Sequence, residues 1–140
     1  MVDPHVPMER LKQEVTSVTL VNNTAKTEDV TVPQGERWLL LGAKLANPDD
    51  VARVVGIDIY KEAAKTNLLR QLFQFSANAS TSRQWPSWPS GSTSGSCTFQ
   101  FALVILDAGN TLKCFWEAGG ASAGGVDADG LVIEYLKVEI

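Results

Sequence analysis

The side chains that most often carry chemistry are few in this sequence and poorly placed to act together. Its only histidine is His5, beside Pro4 near the N-terminus. A Ser-His-Asp or Cys-His arrangement needs a fixed imidazole, and zinc or non-haem iron sites draw on several imidazoles or thiolates. A lone histidine in a terminal tail builds none of these. No G-x-x-x-x-G-K-[ST] or G-x-G-x-x-G run is present, and the AGGASAGG stretch at 118–125 lacks the helix and lysine that phosphate cradling needs. Asp127 and Asp129, with Gly130, superficially resemble a calcium loop, but the further acidic ligands are missing, and turns use Asp and Gly routinely. Asp58, Glu117 and Glu134 are the candidate carboxylates for a glycosidase pair, and nothing in the sequence places any two of them together. The expectation is therefore no enzyme, no cofactor and no metal.

Cys97 and Cys114 could form a disulfide, hold a reactive thiol or fill the core. If 97–106 and 111–118 pair as a hairpin about 107–110, Cys97 falls opposite Gly120 and Cys114 opposite Leu103. The thiols would then be about 20 Å apart along the strands, beyond disulfide reach. A bridge would need these strands in different sheets. Alternation puts Cys114 on the face of Leu112 and Trp116, so reduced core cysteines and intracellular assembly are expected.

The large aromatics offer binding rather than catalysis. Trp38 sits at a strand edge, and Trp85 and Trp88 lie in a polar loop with the local repeat Trp-Pro-Ser. Tryptophan is enriched in buried partner contacts, and proline-spaced rings lose little entropy on docking. Two other roles use the same residues. Trp38 could instead cover the open end of a sandwich, with Trp85 and Trp88 folded over an apolar face. Alternatively, exposed tryptophans could stack on a sugar while Gln84, Ser87 and Ser90 supply hydrogen bonds, as in a lectin. Trp116 alternates with core positions and is expected inside.

These residues need a scaffold, and the composition bounds it. The chain has 140 residues, a net charge of -4, 44% hydrophobic and 20% charged residues. One domain of this size buries roughly two-thirds of its unfolded surface and needs no metal or disulfide staple. The longest apolar run, 101–106, is far short of the roughly 20 residues of a membrane helix. The N-terminus has no apolar stretch after a basic one, so no signal peptide is expected and the mature chain is expected to start near Met1. Dispersed, mildly acidic charge provides no basic face for nucleic acid.

Period-two apolar patterns recur along the chain, and long helical patterns do not. Residues 8–15 are expected as a short helix or an arm, ahead of a strand at 15–21 and a turn at 22–24. A short strand at 30–32 ends at Pro33-Gln34-Gly35, a turn by its chemistry. In 37–46, Leu39, Leu41, Ala43 and Leu45 line one predicted face while Trp38 and Leu40 start the other. After a turn at 47–50, strand 53–60 is predicted to complete a hairpin with it. A loop at 61–65, a strand at 67–76 and a long polar loop at 77–96 follow. Further strands are expected over 99–105 and 112–116, then a glycine-rich connection at 118–130. The last strand, 131–140, is predicted to point Leu136, Val138 and Ile140 inward and Tyr135, Lys137 and Glu139 outward.

The pattern predicts an all-β, jelly-roll-like β-sandwich of about 7–8 antiparallel strands. Residues 1–14 form an N-terminal arm or short helix in this reading, and 15–140 a single domain. An immunoglobulin sandwich lacks its Cys…Trp…Cys spacing here, and a cupin lacks its histidines.

Two runs carry a resemblance: TVPQGERWLLLGAKLANPDD at 31–50 and FALVILDAGNTLKCFWEAGG at 101–120. A strand entered from a Val-Pro-x-Gly turn, with a later Leu-x-Ala-Gly-Asn-x-Leu element and glycine-rich exit, resembles small virion proteins of tailed bacteriophages. The resemblance covers about half the chain and implies a jelly-roll or related module that decorates or cements capsids, or sits on tails and fibres, commonly as a trimer. The function expected from it is a capsid decoration or cement protein, assembled in the host cytoplasm into the virion and bound to the major capsid protein as a homotrimer. The contact residues expected are Trp38, Trp85, Trp88, Met8 and Leu11, the last two on an arm that orders against its partner. The alternative is a glycan-binding module of a tail or fibre. No membrane or nucleic-acid partner is expected.

Overall fold

The computed structural model describes residues 10–86, 95–97 and 103–139. Among them are ten strands: β1 (Arg10–Leu20), β2 (Lys26–Thr31), β3 (Glu36–Asn47), β4 (Arg53–Tyr60), β5 (Leu68–Ala77), β6 (Thr81–Trp85), β7 (Gly95–Cys97), β8 (Val104–Leu106), β9 (Thr111–Trp116) and β10 (Gly125–Glu139). They form two antiparallel sheets in the orders β1-β10-β3-β6 and β2-β9-β4-β5-β7, with β8 also on β3. Setting aside the short β7 and β8, successive strands switch sheets except at the β4–β5 hairpin, which is the order of a jelly roll. The chain is an all-β, jelly-roll-like sandwich, as its alternating pattern predicts.

Alternation explains the core. Val18, Leu45, Leu131 and Ile133 of the first sheet face Val55, Ile57, Leu112 and Trp116 of the second, all buried. The Trp116 indole Nε1 donates to the Ala46 carbonyl at 2.7 Å, so its polar handle is satisfied in the interior. The Pro33–Gly35 turn forms as predicted, with Gly35 at φ +84° and the Glu36 amide donating to the Pro33 carbonyl at 3.3 Å.

Several sequence expectations are corrected. Residues 10–14 are neither helix nor free arm: they pair with Lys137 back to Ile133 of β10. The open edge of β10 supplies hydrogen-bond partners that a short isolated helix would lack. The 37–46 and 53–60 segments do not pair as a hairpin, because β3 and β4 lie in different sheets. Asn47 turns the chain between them, its Nδ2 donating to the carbonyls of Val51 and Ala77, both at 2.9 Å. The 107–110 turn likewise links β8 in the first sheet to β9 in the second. Cys97 and Cys114 therefore share one row of the second sheet, through Phe73 and Ile57. Three strand spacings, about 14 Å, still put the two backbones beyond bridging distance. The glycine-rich connection also ends earlier than predicted, because β10 begins at Gly125 against Leu20.

A β-bulge splits the predicted face of β3, separating Leu39 and Leu41 from Ala43 and Leu45. Glu134 pairs with Gly42 and Tyr135 with Leu40, leaving Leu41 as an extra residue. Trp38 and Leu40 before the bulge, and Ala43 and Leu45 after it, consequently all face the core. On β10 the predicted orientations of Tyr135 and Leu136 are exchanged, Glu139 is exposed as predicted, and Ile140 lies outside the described residues. Leu131, Ile133 and Tyr135 are buried, while Leu136 and Val138 are half-buried.

Candidate functional site

The expected contact tryptophans are core residues wherever they are described. Trp38 is 2% exposed and Trp85 4% exposed. Trp38 stacks on Tyr135 with ring centroids 3.7 Å apart and planes 16° apart, and its Nε1 donates to Glu36 Oε1 at 2.8 Å. This is the covering role, not an exposed anchor: the paired rings close one end of the sandwich. The Tyr135 hydroxyl donates to Glu14 Oε1 at 2.9 Å. Burial, and then the Glu14 carboxylate, push its phenol well above the ordinary range. Lys137 beside this end is held above its usual value by its hydrogen bond to Glu139, with Glu36 adding attraction. Trp85 cannot offer a face to a sugar, because it lies inside. Met8 and Trp88 lie outside the described residues, and Leu11 is described only by its place in β1.

That place is informative. Leu11 pairs with Leu136, Leu136 with Leu39, and Leu39 with Ile105, a row across β1, β10, β3 and β8. Leu39 stands between buried Trp38 and Leu40, and Ile105 between buried Val104 and Leu106, so both point away from the core. Tyr135 is buried, so its neighbour Leu136 points outward with them. Around the row, Leu103 is 73% exposed, Ile105 56% and Leu41 41%. The bulge creates this surface by turning Trp38 and Leu40 inward while leaving Leu39 and Leu41 outside. An Arg37–Asp107 ion pair of 2.7 Å, its groups half-exposed, stands at one end. A β-sheet face with adjacent exposed leucines and isoleucine, rimmed by charge, has the makeup of a protein contact.

Of the residues in and beside this row, the sequence reading named only Leu11 as a contact candidate. Unbroken alternation put Leu39 and Leu41 on one face with Ala43 and Leu45, and pointed Leu136 inward. The only available signal was the doubled apolar pattern of 38–41, where both faces read as hydrophobic.

The carboxylates are divided between the sheets. Asp58 and Glu117 line one groove on the second sheet, whereas Glu134 lines another on the first, beside Gly42 and Val132. Among the described residues no group of three or more His, Cys, Asp or Glu side chains is placed to hold a metal ion. Cys114 is fully buried, and desolvation, with Asp29, Glu28 and Asp58 adding repulsion, pushes its thiol far above the ordinary range. A thiol so placed is a packing residue rather than a nucleophile.

No family model, curated protein or solved structure matches the chain.

Proposed function

We propose that this chain is a structural protein of a bacteriophage virion, a decoration or cement protein that binds adjacent major capsid subunits and stabilises the shell. The observation that carries this reading is the outward apolar row of Leu136, Leu39 and Ile105, with Leu11 in register and Leu41 and Leu103 beside it. Burying such a row against a neighbouring protein removes contiguous apolar surface from water, at about 25 cal/mol per Å² of area covered. The Arg37–Asp107 pair at the border supplies a polar rim that limits how the partner seats. A homotrimer at a local threefold position would let several such contacts act together. The phage resemblance supports the choice of partner, and the virion, assembled in the host cytoplasm, is the corresponding location.

The test is light scattering on the purified protein, followed by co-sedimentation with capsids lacking it. A trimer that sediments with the shells, and that loses at least about tenfold in affinity on Ile105→Asp or Leu103→Asp, is the expected result. A folded protein that ignores the capsids, or binds them equally well with either substitution, would overturn the proposal.

A further inference from the structure

The outer face of the second sheet holds a surface of different chemistry. Gly56 of β4 pairs with Phe115 of β9. A Cβ at Gly56 would stand 2.5 Å from the Phe73 carbonyl oxygen and 2.6 Å from Phe115 Cζ. The phenyl ring thus lies down over the glycine and occupies the space a side chain would fill. Phe115 is only half-buried, which leaves part of a flat apolar surface open on the sheet.

Polar groups surround that ring. Gln71 Nε2 donates to Asp58 Oδ1 at 3.1 Å and to Gln74 Oε1 at 3.0 Å, which sets their orientation. Lys113 Nζ stands 6.0 Å from the ring centroid. Together with Lys26 and Glu117 they border a groove of about 320 Å³. Two lysines and two carboxylates line it, and Lys26 is itself paired with Glu28 at 3.1 Å, so the groove has no excess of positive charge with which to recruit an anion. A purely apolar partner would strip water from Asp58 and Gln74 without replacing their hydrogen bonds.

We propose that this groove binds a neutral saccharide, with one pyranose ring laid on Phe115. A pyranose presents an apolar C–H face and a rim of hydroxyls that both donate and accept. Phe115 would take the face, Asp58 and the Gln74 carbonyl would accept from hydroxyls, and Lys113 would donate to one. The site is on the sheet opposite the apolar row and does not depend on it. A protein held to a shell by its first sheet would present this groove outward.

The test is a titration of the isotopically labelled full chain with cellobiose, lactose, maltose and diacetylchitobiose, each to about 50 mM, followed by backbone amide shifts. At least one sugar should shift the amides of Gly56, Gln74 and Phe115 saturably, with a Kd on the order of 1 mM. Phe115→Leu keeps apolar cover over Gly56 but removes the flat face, and should weaken binding about tenfold. Gln74→Ala should weaken it severalfold with the fold unchanged, and Phe115→Trp should retain or strengthen it. No saturable shift with any of the four sugars would overturn the proposal. So would saturable shifts confined to other residues, or affinity unaltered by both Phe115→Leu and Gln74→Ala.

Discussion

Arg53 Nε donates to Asp49 Oδ2 at 2.7 Å, and both side chains are wholly buried at the end of the sandwich remote from Trp38. The same guanidinium donates to the carbonyls of Val21 and Thr24, each at 2.7 Å, and of Glu117 at 3.2 Å. Asp49 in turn accepts from the Asp50 and Gly124 amides at 2.7 and 2.9 Å. Burial alone would raise the Asp49 carboxyl, but Arg53 and these amides outweigh it and hold the group below its ordinary range. One ion pair thereby joins three connections: β1 to β2, β3 to β4, and β9 to β10.

Arg53→Ala is expected to destabilise the fold by about 3–5 kcal/mol, because it strands a buried carboxylate and three carbonyls. Arg53→Lys should recover little of this, since one ammonium cannot reproduce the planar fork that spans four acceptors. Urea unfolding of the three proteins checks both statements, and a small loss for Lys would show that charge alone suffices.

Truncation separates the arm from the strand. Deletion of residues 1–9 leaves every described ladder pair of β1 in place and gives the reference melting temperature. Extending the deletion through residue 14 removes the pairing from Arg10 to Glu14 and the Glu14–Tyr135 hydrogen bond, and should lower the melting temperature by several degrees. Thermal denaturation of both truncations distinguishes a domain that begins at Arg10 from one that begins at Val15.

Glu62 organises the connection between β4 and β5. Its carboxylate accepts from the Asn67 side chain and amide and from the Thr66 hydroxyl and amide, at 2.7–2.9 Å. The Asn67 bonds lead the effects that lower its pKa from 4.5 to about 2. A depressed acid stabilises the fold fully above its unfolded value and loses that contribution as pH falls through the folded one. The stability difference between the wild type and Glu62→Gln should therefore be constant above about pH 5.5 and shrink between pH 4.5 and pH 2. Melting curves across this range measure it, and a difference independent of pH would refute the assignment.

Cys114 should be inert until the sandwich opens. In a Cys97→Ser background, iodoacetamide at about pH 8 should leave the native thiol unlabelled and modify it rapidly in denaturant. Labelling at the same rate in both conditions would contradict its burial between the sheets.

Strand composition was legible locally because period-two alternation and turn chemistry are properties of short stretches. Val55, Ile57 and Ile59 announce a half-buried strand, and Pro33 with Gly35 announces a turn, with little need of the remainder of the chain. These features, and the lack of helical periodicity, were enough to determine an all-β sandwich. Which strands pair is a different matter. The 47–50 and 107–110 turns have the residues of hairpin turns yet pass between sheets, because burying both strands' apolar faces against opposing layers wins over local pairing. The bulge at Leu41 is likewise invisible to a fixed alternation: one extra residue exchanges inside and outside for every position beyond it. That exchange buries Trp38 with Tyr135 and leaves Leu39, Leu41 and Leu136 on the outside. The sequence by itself determined the class of the fold and the scarcity of catalytic side chains; the tertiary structure decided which apolar residues face outward, because that choice depends on cross-strand register rather than on residue type.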